Sequence, residues 1–209
     1  MALNYGMYLP IDALQIWNFR FRPALERQDR KDGVRDMGIK TAFKKASRQV
    51  EKAITGEEPE VDILDTLAEE HEVVAALLQD LVDGKSSAQR ASTLKQIKKN
   101  LVPHARAEEQ VLYSALLRAK DKDIKTDSEE GFIEHSIIDF VLKTLSGMRD
   151  KMSPRFGAGA KVLKEIVTHH VGEEEDDVWS DAKKTFSSEE RKKMNRIYLA
   201  KKKLVKVPA

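Results

Sequence analysis

The feature that most limits how this chain can fold is a set of histidines spaced one helix and one turn apart. They lie 33, 31 and 35 residues from one another and are His71, His104, His135 and His170. The second and fourth are each followed four residues later by a glutamate, Glu108 and Glu174. Four residues along a helix return the side chain to nearly the same face, so each His–Glu pair projects in one direction.

Each histidine also stands inside an apolar stripe with steps of three and four residues. Around His104 the stripe contains Leu94, Ile97, Leu101 and Val111. Stripes of this kind are the seams of helices that pack in a bundle. The four stripes therefore predict an all-α fold, an up-down-up-down four-helix bundle whose seams carry polar groups where core residues belong.

Turn and capping signals divide the chain. We predict three segments: residues 1–58, a basic N-terminal arm with a short helix; 59–184, the bundle; and 185–209, a C-terminal fifth helix and basic tail. Within the bundle, Pro103 is expected to kink or break the second helix. Asp127 with Glu130 is expected to start the third helix near residue 127, and the fourth is expected from about residue 160.

The N-terminal arm is basic. Residues 20–52 contain eleven Lys or Arg and five Asp or Glu, and a short helix is predicted from Thr41. One interpretation is that the arm packs its aromatic residues on the main domain and leaves its basic side in solvent. The other is that residues 20–52 contact a protein or an anionic surface.

Composition narrows the class of protein. The chain has no cysteine, which excludes disulfides and thiolate metal sites. Its formal net charge of +2 is too close to neutral to favour a nucleic-acid partner. We find no apolar run of membrane-spanning length and no signal-peptide pattern, so a cytoplasmic location is expected.

Polar groups on buried seams need a charge to balance them. Two buried, unpaired carboxylates would cost several kcal/mol each. Divalent cations remove that cost, and mixed imidazole and carboxylate ligands suit iron, manganese or zinc better than calcium. Six ligands exceed the needs of one tetrahedral ion but suit two ions that share two bridging glutamates. Such a centre leaves coordination positions open to a small ligand.

These motifs resemble the hemerythrin-like, HHE cation-binding family over roughly residues 60–182. The resemblance rests on Glu70-His71, Glu134-His135 and the two HxxxE motifs. It implies a non-haem di-iron centre, bridged by carboxylates and an oxo or hydroxo group, that reacts with dioxygen, nitric oxide or peroxide. Carried over by position, the terminal ligands become His71, His104, His135 and His170, and the bridges become Glu108 and Glu174.

The sequence departs from the oxygen-carrying members of that family. Those proteins have a fifth histidine where this chain has Asp139, which could be a weak ligand or a hydrogen-bonding group. His169 lies about 100° round the helix from His170, so a structural role is expected for it. Members associated with iron-sulfur repair carry a cysteine pair in an N-terminal domain, which this arm lacks. Tyr113, Trp179 and Phe140 are expected to pack as core near the bundle ends.

Two functions follow from this reading. The first is a di-iron protein that binds or turns over a diatomic ligand or peroxide, linked through its relatives to nitric oxide and oxidative stress. The alternative is a non-catalytic iron or gas sensor, or an iron store, that acts through the N-terminal arm. The sequence does not decide whether the protein is an enzyme.

Overall fold

The computed structural model describes residues 44–49, 51–52 and 60–208, and within them every regular element is helical. The helices from residue 63 onward belong to one compact unit, Lys45–Ala209. They are α1 (Ile63–Asp83), α2 (Ser87–Glu108), α3 (Ser114–Leu116), α4 (Lys122–Gly147), α5 (Pro154–Glu173), α6 (Trp179–Thr185) and α7 (Ser188–Leu204). The all-α prediction is confirmed for this part of the chain, whereas the up-down-up-down order stays a prediction.

Two short π-helical turns interrupt what the sequence predicted as continuous α-helices. The first π turn, Glu109–Tyr113, joins α2 to α3, and the second, Glu174–Val178, joins α5 to α6. A π turn accommodates one extra residue per turn and shifts the register of the side chains that follow it. The first turn begins directly after Glu108 and the second begins at Glu174, so each register shift follows an HxxxE motif.

Polar side chains cap the main helices and fix where they start. The capping residues are Asp62, Ser86, Asp121, Ser153 and Ser187. Ser187 and Glu190 form a reciprocal capping box at the start of α7. Each side-chain oxygen accepts a hydrogen bond from a backbone N–H that the helix itself leaves unpaired.

Two sequence predictions about where helices begin were wrong, and Pro103 does not break its helix, so only the predicted kink stays open. The third bundle helix begins at Lys122 rather than near residue 127, because Asp121 caps it. The fourth begins at Pro154, a residue suited to the first turn of a helix. Pro103 lies inside α2 without ending it. For the short helix predicted from Thr41, the described residues 44–49 and 51–52 are helical, and the rest lies outside the described residues.

The apolar core forms two clusters with the histidines at the boundary between them. On α1, Leu64 and Leu67 belong to one cluster, Val74 and Leu78 to the other, and His71 lies between. On α4, Ile124 and Ile138 flank His135 in the same order. On α2 the order along the chain is reversed, with Leu101 before His104 and Ala107 after it. Val167 of α5 and Val178 of the second π turn flank His170 in that reversed order. The four histidines therefore occupy one polar layer enclosed by apolar side chains.

Helix α7, the predicted C-terminal fifth helix, covers one side of the histidine layer. Helix α7 packs against α1, α2 and the first π turn, and it buries Tyr198 completely. Phe140 does not belong to the core as predicted, since 69% of it is exposed on α4. Among the described residues, no helix has both the length and the apolar character needed to cross a bilayer.

Candidate metal centre

The six residues singled out by the sequence meet in one buried cluster. Their relative exposures lie between 0% and 5%, and we call them the six-residue cluster: His71, His104, Glu108, His135, His170 and Glu174. Two subsets have ligand atoms close enough to hold an ion, His71–His104–Glu174 and Glu108–His135–His170. The four histidines, which the sequence spaces about one helix and one turn apart, therefore come together in the interior.

The imidazoles face each other in two pairs. The Nε2 atoms of His71 and His104 are 3.3 Å apart, and those of His135 and His170 are 3.0 Å apart. Two imidazole nitrogens bound to one cation at about 2.0–2.1 Å lie about 2.9–3.4 Å apart, for angles from octahedral to tetrahedral. Both separations fit two ligands of a shared ion.

Each buried carboxylate lies between histidines of both pairs. Oε2 of Glu108 is 3.5 Å from Nε2 of His104 and 3.6 Å from Nε2 of His135. Oε2 of Glu174 is 3.4 Å from Nε2 of His71 and 3.7 Å from Nε2 of His170. Neither of these oxygens has a hydrogen-bond partner among the described residues. Buried acceptors of this kind are what a bridging carboxylate contributes to two cations.

Every imidazole is held on its outer nitrogen by a further carboxylate. We call these residues the outer carboxylates: Glu175 for His71, Glu70 for His104, Glu109 for His135 and Glu134 for His170. The Nδ1–oxygen distances run from 2.7 to 3.1 Å. A carboxylate accepts at Nδ1 only if that nitrogen carries the proton, so each Nε2 lone pair points inward.

Without a cation, these inward lone pairs would repel, and the protonation pattern reflects this. Despite the opposing effect of burial, the Glu174 carboxylate raises the pKa of His71 to about 9. Burial, together with the charge on His71, lowers the pKa of His104 to about 4. Burial and the neighbouring Glu174 raise the pKa of Glu108 well above its usual value. A proton on His71 thus takes the place that a cation would fill.

The two aromatic residues that follow the glutamates occupy equivalent places. The Tyr113 ring stacks on His135 and the Trp179 ring on His71, with centroids 5.6 and 6.1 Å apart. The Trp179 indole N–H points to Oε1 of Glu174 at 3.4 Å. Oη of Tyr113 has no hydrogen-bond partner among the described residues. Both rings therefore pack on the cluster itself.

Two residues that the sequence placed near the predicted ligands, His169 and Asp139, lie outside the six-residue cluster. His169 is 60% exposed and contacts Glu134 and Glu173 at the surface, in agreement with its predicted orientation. Asp139 pairs with Arg106 and is 40% exposed. Glu134, His169 and Glu173, of which only His169 is exposed, also have ligand atoms close enough to hold an ion.

Comparison with known families was made on the sequence. The model of the hemerythrin HHE cation-binding domain matches residues 62–179. The chain belongs to this family. The matched region spans α1 to the first residue of α6 and therefore contains the whole six-residue cluster.

Among curated proteins, the chain is similar to a protein of Nostoc sp. (strain PCC 7120 / SAG 25.82 / UTEX 2576) named DNA nickase. The two are 27% identical over 154 residues, which cover 73% of this chain and 43% of the relative. The chain thus spans less than half of that protein's length. No solved structure matches the chain.

The outer carboxylates and Tyr198 were not predicted to act at the site. A signal for the carboxylates was present, because a glutamate adjoins each of four cluster residues, as in Glu70-His71 and Glu108-Glu109. Tyr198 gave no such signal. It comes from the fifth helix, and its hydroxyl group contacts Glu70 and His104 only because of how that helix packs.

Proposed function

We propose that the six-residue cluster holds two iron ions in a non-haem centre that binds or reacts with dioxygen, nitric oxide or peroxide. The assigned ligands are His71, His104, His135 and His170, with Glu108 and Glu174 as bridges. The surrounding bundle, residues 59–184, is assigned up-down-up-down order. The observation that carries the proposal is that each bridge oxygen lies 3.4–3.7 Å from an Nε2 atom of both histidine pairs.

The donor set supports cations rather than a core stabilised by protein groups alone. The buried Glu108 oxygens have no hydrogen-bond partner among the described residues, and a buried unpaired acceptor costs about 1–3 kcal/mol. The outer carboxylates fix all four imidazoles with Nε2 inward. Such carboxylate–histidine pairs orient metal ligands and raise their basicity.

In this chemistry the protein would hold the two ions, orient their ligands and enclose the site. A pair of iron ions would supply the redox chemistry with the small ligand. Trp179 and Tyr113 cover His71 and His135 and exclude water from that side. Iron is preferred over manganese or zinc because of the family, since the donor types alone suit all three.

Metal analysis tests this proposal. Protein purified in air should contain two irons per chain and an absorption band that changes when azide or peroxide is added. The His169→Ala variant should keep both irons, since His169 lies at the surface. Iron content below one per chain after anaerobic reconstitution with ferrous iron would refute the assignment.

A sensor or iron store acting through the N-terminal arm is a second candidate, and one contact favours it. Arg48 pairs with Asp65 and Glu69 of α1, at 3.2 and 2.7 Å. Glu69 directly precedes Glu70, the outer carboxylate of His104. If cation binding shifts α1, protease cleavage within residues 20–52 should differ between metal-free and iron-loaded protein. Equal cleavage rates would exclude this function.

DNA cleavage is not part of the proposal. The relative named DNA nickase is only partly covered by this chain, and a net charge of +2 gives little long-range attraction to a polyanion. Supercoiled plasmid incubated with manganese-loaded protein should stay intact. Nicked circles that form with this protein, but not with Glu108→Gln, would contradict us.

A further inference from the structure

Two of the outer carboxylates, Glu70 and Glu134, occupy equivalent places in the two halves of the centre but differ in their further contacts. Glu70 directly precedes His71, and Glu134 directly precedes His135. Each glutamate accepts a hydrogen bond from Nδ1 of the following cluster histidine, Glu70 from His104 at 2.9 Å and Glu134 from His170 at 2.7 Å. Their remaining contacts differ. Glu134 has the exposed His169 nearby at 3.6 Å, whereas Glu70 is held by helix α7.

Helix α7 contacts Glu70 through two side chains. The Tyr198 hydroxyl donates to Oε2 of Glu70 at 2.6 Å, and Lys202 forms an ion pair with the same oxygen. Oη of Tyr198 is also 3.2 Å from Nδ1 of His104. Tyr198 is fully buried, so its hydroxyl has no access to solvent as an alternative partner.

These contacts limit how His104 can turn. When Nε2 of His104 binds a cation, its Nδ1 must carry a proton and donate it to Glu70. The Tyr198 hydroxyl then also donates to Glu70, and Lys202 holds that carboxylate in place. The equivalent carboxylate, Glu134, has no buried donor beyond His170 among its described contacts.

We propose that Tyr198 and Lys202 are positioning residues for one cation only, the one held by His71 and His104. They fix Glu70 and, through it, the His104 ring. The cation held by His135 and His170 does not depend on these two side chains. The C-terminal helix thereby makes the two cation positions unequal in affinity, and the inference rests on the two-cation centre proposed above.

Zinc titration of the metal-free full chain tests this, because zinc accepts histidine and carboxylate ligands and is diamagnetic. Wild type should bind two Zn²⁺ ions. The Tyr198→Phe variant keeps the ring and loses the hydroxyl group. The ion held by His71 and His104 should bind it about tenfold more weakly, at the low end of the affinity loss seen when a hydrogen-bond partner of a metal ligand is removed. The other ion should be unaffected. Lys202→Met should act in the same direction, and its partly exposed side chain makes loss of folding no obstacle.

Proton NMR of the Zn²⁺-loaded protein supplies a readout that a purely structural role would not move. Each hydrogen-bonded Nδ1–H should give a downfield signal, and only that of His104 should shift or exchange faster in Tyr198→Phe. Ile197→Ala, at an exposed neighbouring position on α7, should leave all four signals unchanged. Equal weakening of both ions, or an unchanged His104 signal, would overturn the inference. Failure of wild type to bind Zn²⁺ would instead refute the proposed centre.

Discussion

Oε2 of Glu108 in α2 and Nε2 of His135 in α4 lie 3.6 Å apart, although the first π turn, α3 and a loop separate the two helices in the sequence. The same oxygen of Glu108 is 3.5 Å from His104. This carboxylate therefore belongs to both histidine pairs and links the two halves of the chain. Its removal should affect both cation positions, unlike the loss of a single imidazole.

Replacing Glu108 with Gln should separate metal binding from folding. Burial and the neighbouring Glu174 raise the pKa of Glu108 well above its usual value, which favours the protonated form that glutamine resembles in shape. We expect the free energy of unfolding of the metal-free protein to change by less than about 1 kcal/mol. Iron content should fall below two per chain, since a neutral amide cannot bridge two cations. Glu165→Gln, at an exposed site on α5, is the matched control, and a loss of iron there would undermine this reading.

The adjacent histidines His169 and His170 should respond very differently to alanine. His170 is 2% exposed and holds Glu134 at 2.7 Å, so its loss leaves buried carboxylates without a partner. We expect His170→Ala to lose iron and to lower the unfolding free energy by about 1–3 kcal/mol. His169→Ala should change the iron content and the unfolding free energy only slightly, because the contacts of His169 are at the surface. Equal effects in iron analysis and urea unfolding would mean that the register of α5 is wrong.

The contribution of His71 and His104 to the stability of metal-free protein should be largest near pH 6.5. His71 has a folded-state pKa raised to about 9, so its contribution is fully present below pH 6.5 and is lost as pH rises through 9. His104 has a pKa lowered to about 4, so its contribution is present above pH 6.5 and is lost as pH falls through 4. Each shift corresponds to about 3 kcal/mol by linkage.

Urea unfolding of chelator-treated protein at pH 5, 6.5 and 9 measures this dependence. Zinc-loaded protein is the control, because a bound cation replaces the proton on His71 and should remove the loss at pH 9. A metal-free stability that rises steadily from pH 6.5 to pH 9 would contradict the protonation pattern assigned to the histidine pair.

Gly131 should not tolerate a side chain. A Cβ atom there would lie 2.5 Å from the Tyr113 ring, which packs against α4 on one side and stacks on His135. The buried ring has little room to move, so Gly131→Ala should destabilise the protein by about 1–3 kcal/mol. Gly157→Ala is the contrasting variant, since nothing lies within 4 Å of its Cβ position. It should stabilise α5 by about 0.5–1 kcal/mol in thermal unfolding, and a similar loss in both variants would disprove the packing argument.

The sequence predicted the six-residue cluster because its members obey a helical period. His104 and Glu108 are four residues apart on a seam that apolar residues define, and helix length fixes the depth at which seams meet. The π turns were not predicted, since an extra residue in a turn leaves no mark in composition. For the same reason, the contact of Glu109 with His135 could not be read from the α-helical period.

Features that depend on how separate helices pack together could not be predicted from the sequence either. Tyr198 lies 94 residues from His104, and nothing in its local sequence points to a buried polar partner. Phe140 was assigned to the core because of its residue type, although the His135 seam continues through Ile138 and Leu142. Local periodicity describes one helix at a time, whereas these contacts require the arrangement of several.

The four outer carboxylates also have a mechanical consequence. Each hydrogen bond joins a different pair of neighbouring chain segments: Glu70 joins α1 to α2, Glu109 joins the first π turn to α4, Glu134 joins α4 to α5, and Glu175 joins the second π turn to α1. The links form a closed loop round the bundle. No helix can slide along its neighbours without breaking two of these hydrogen bonds. Breaking one of them should therefore weaken the other three.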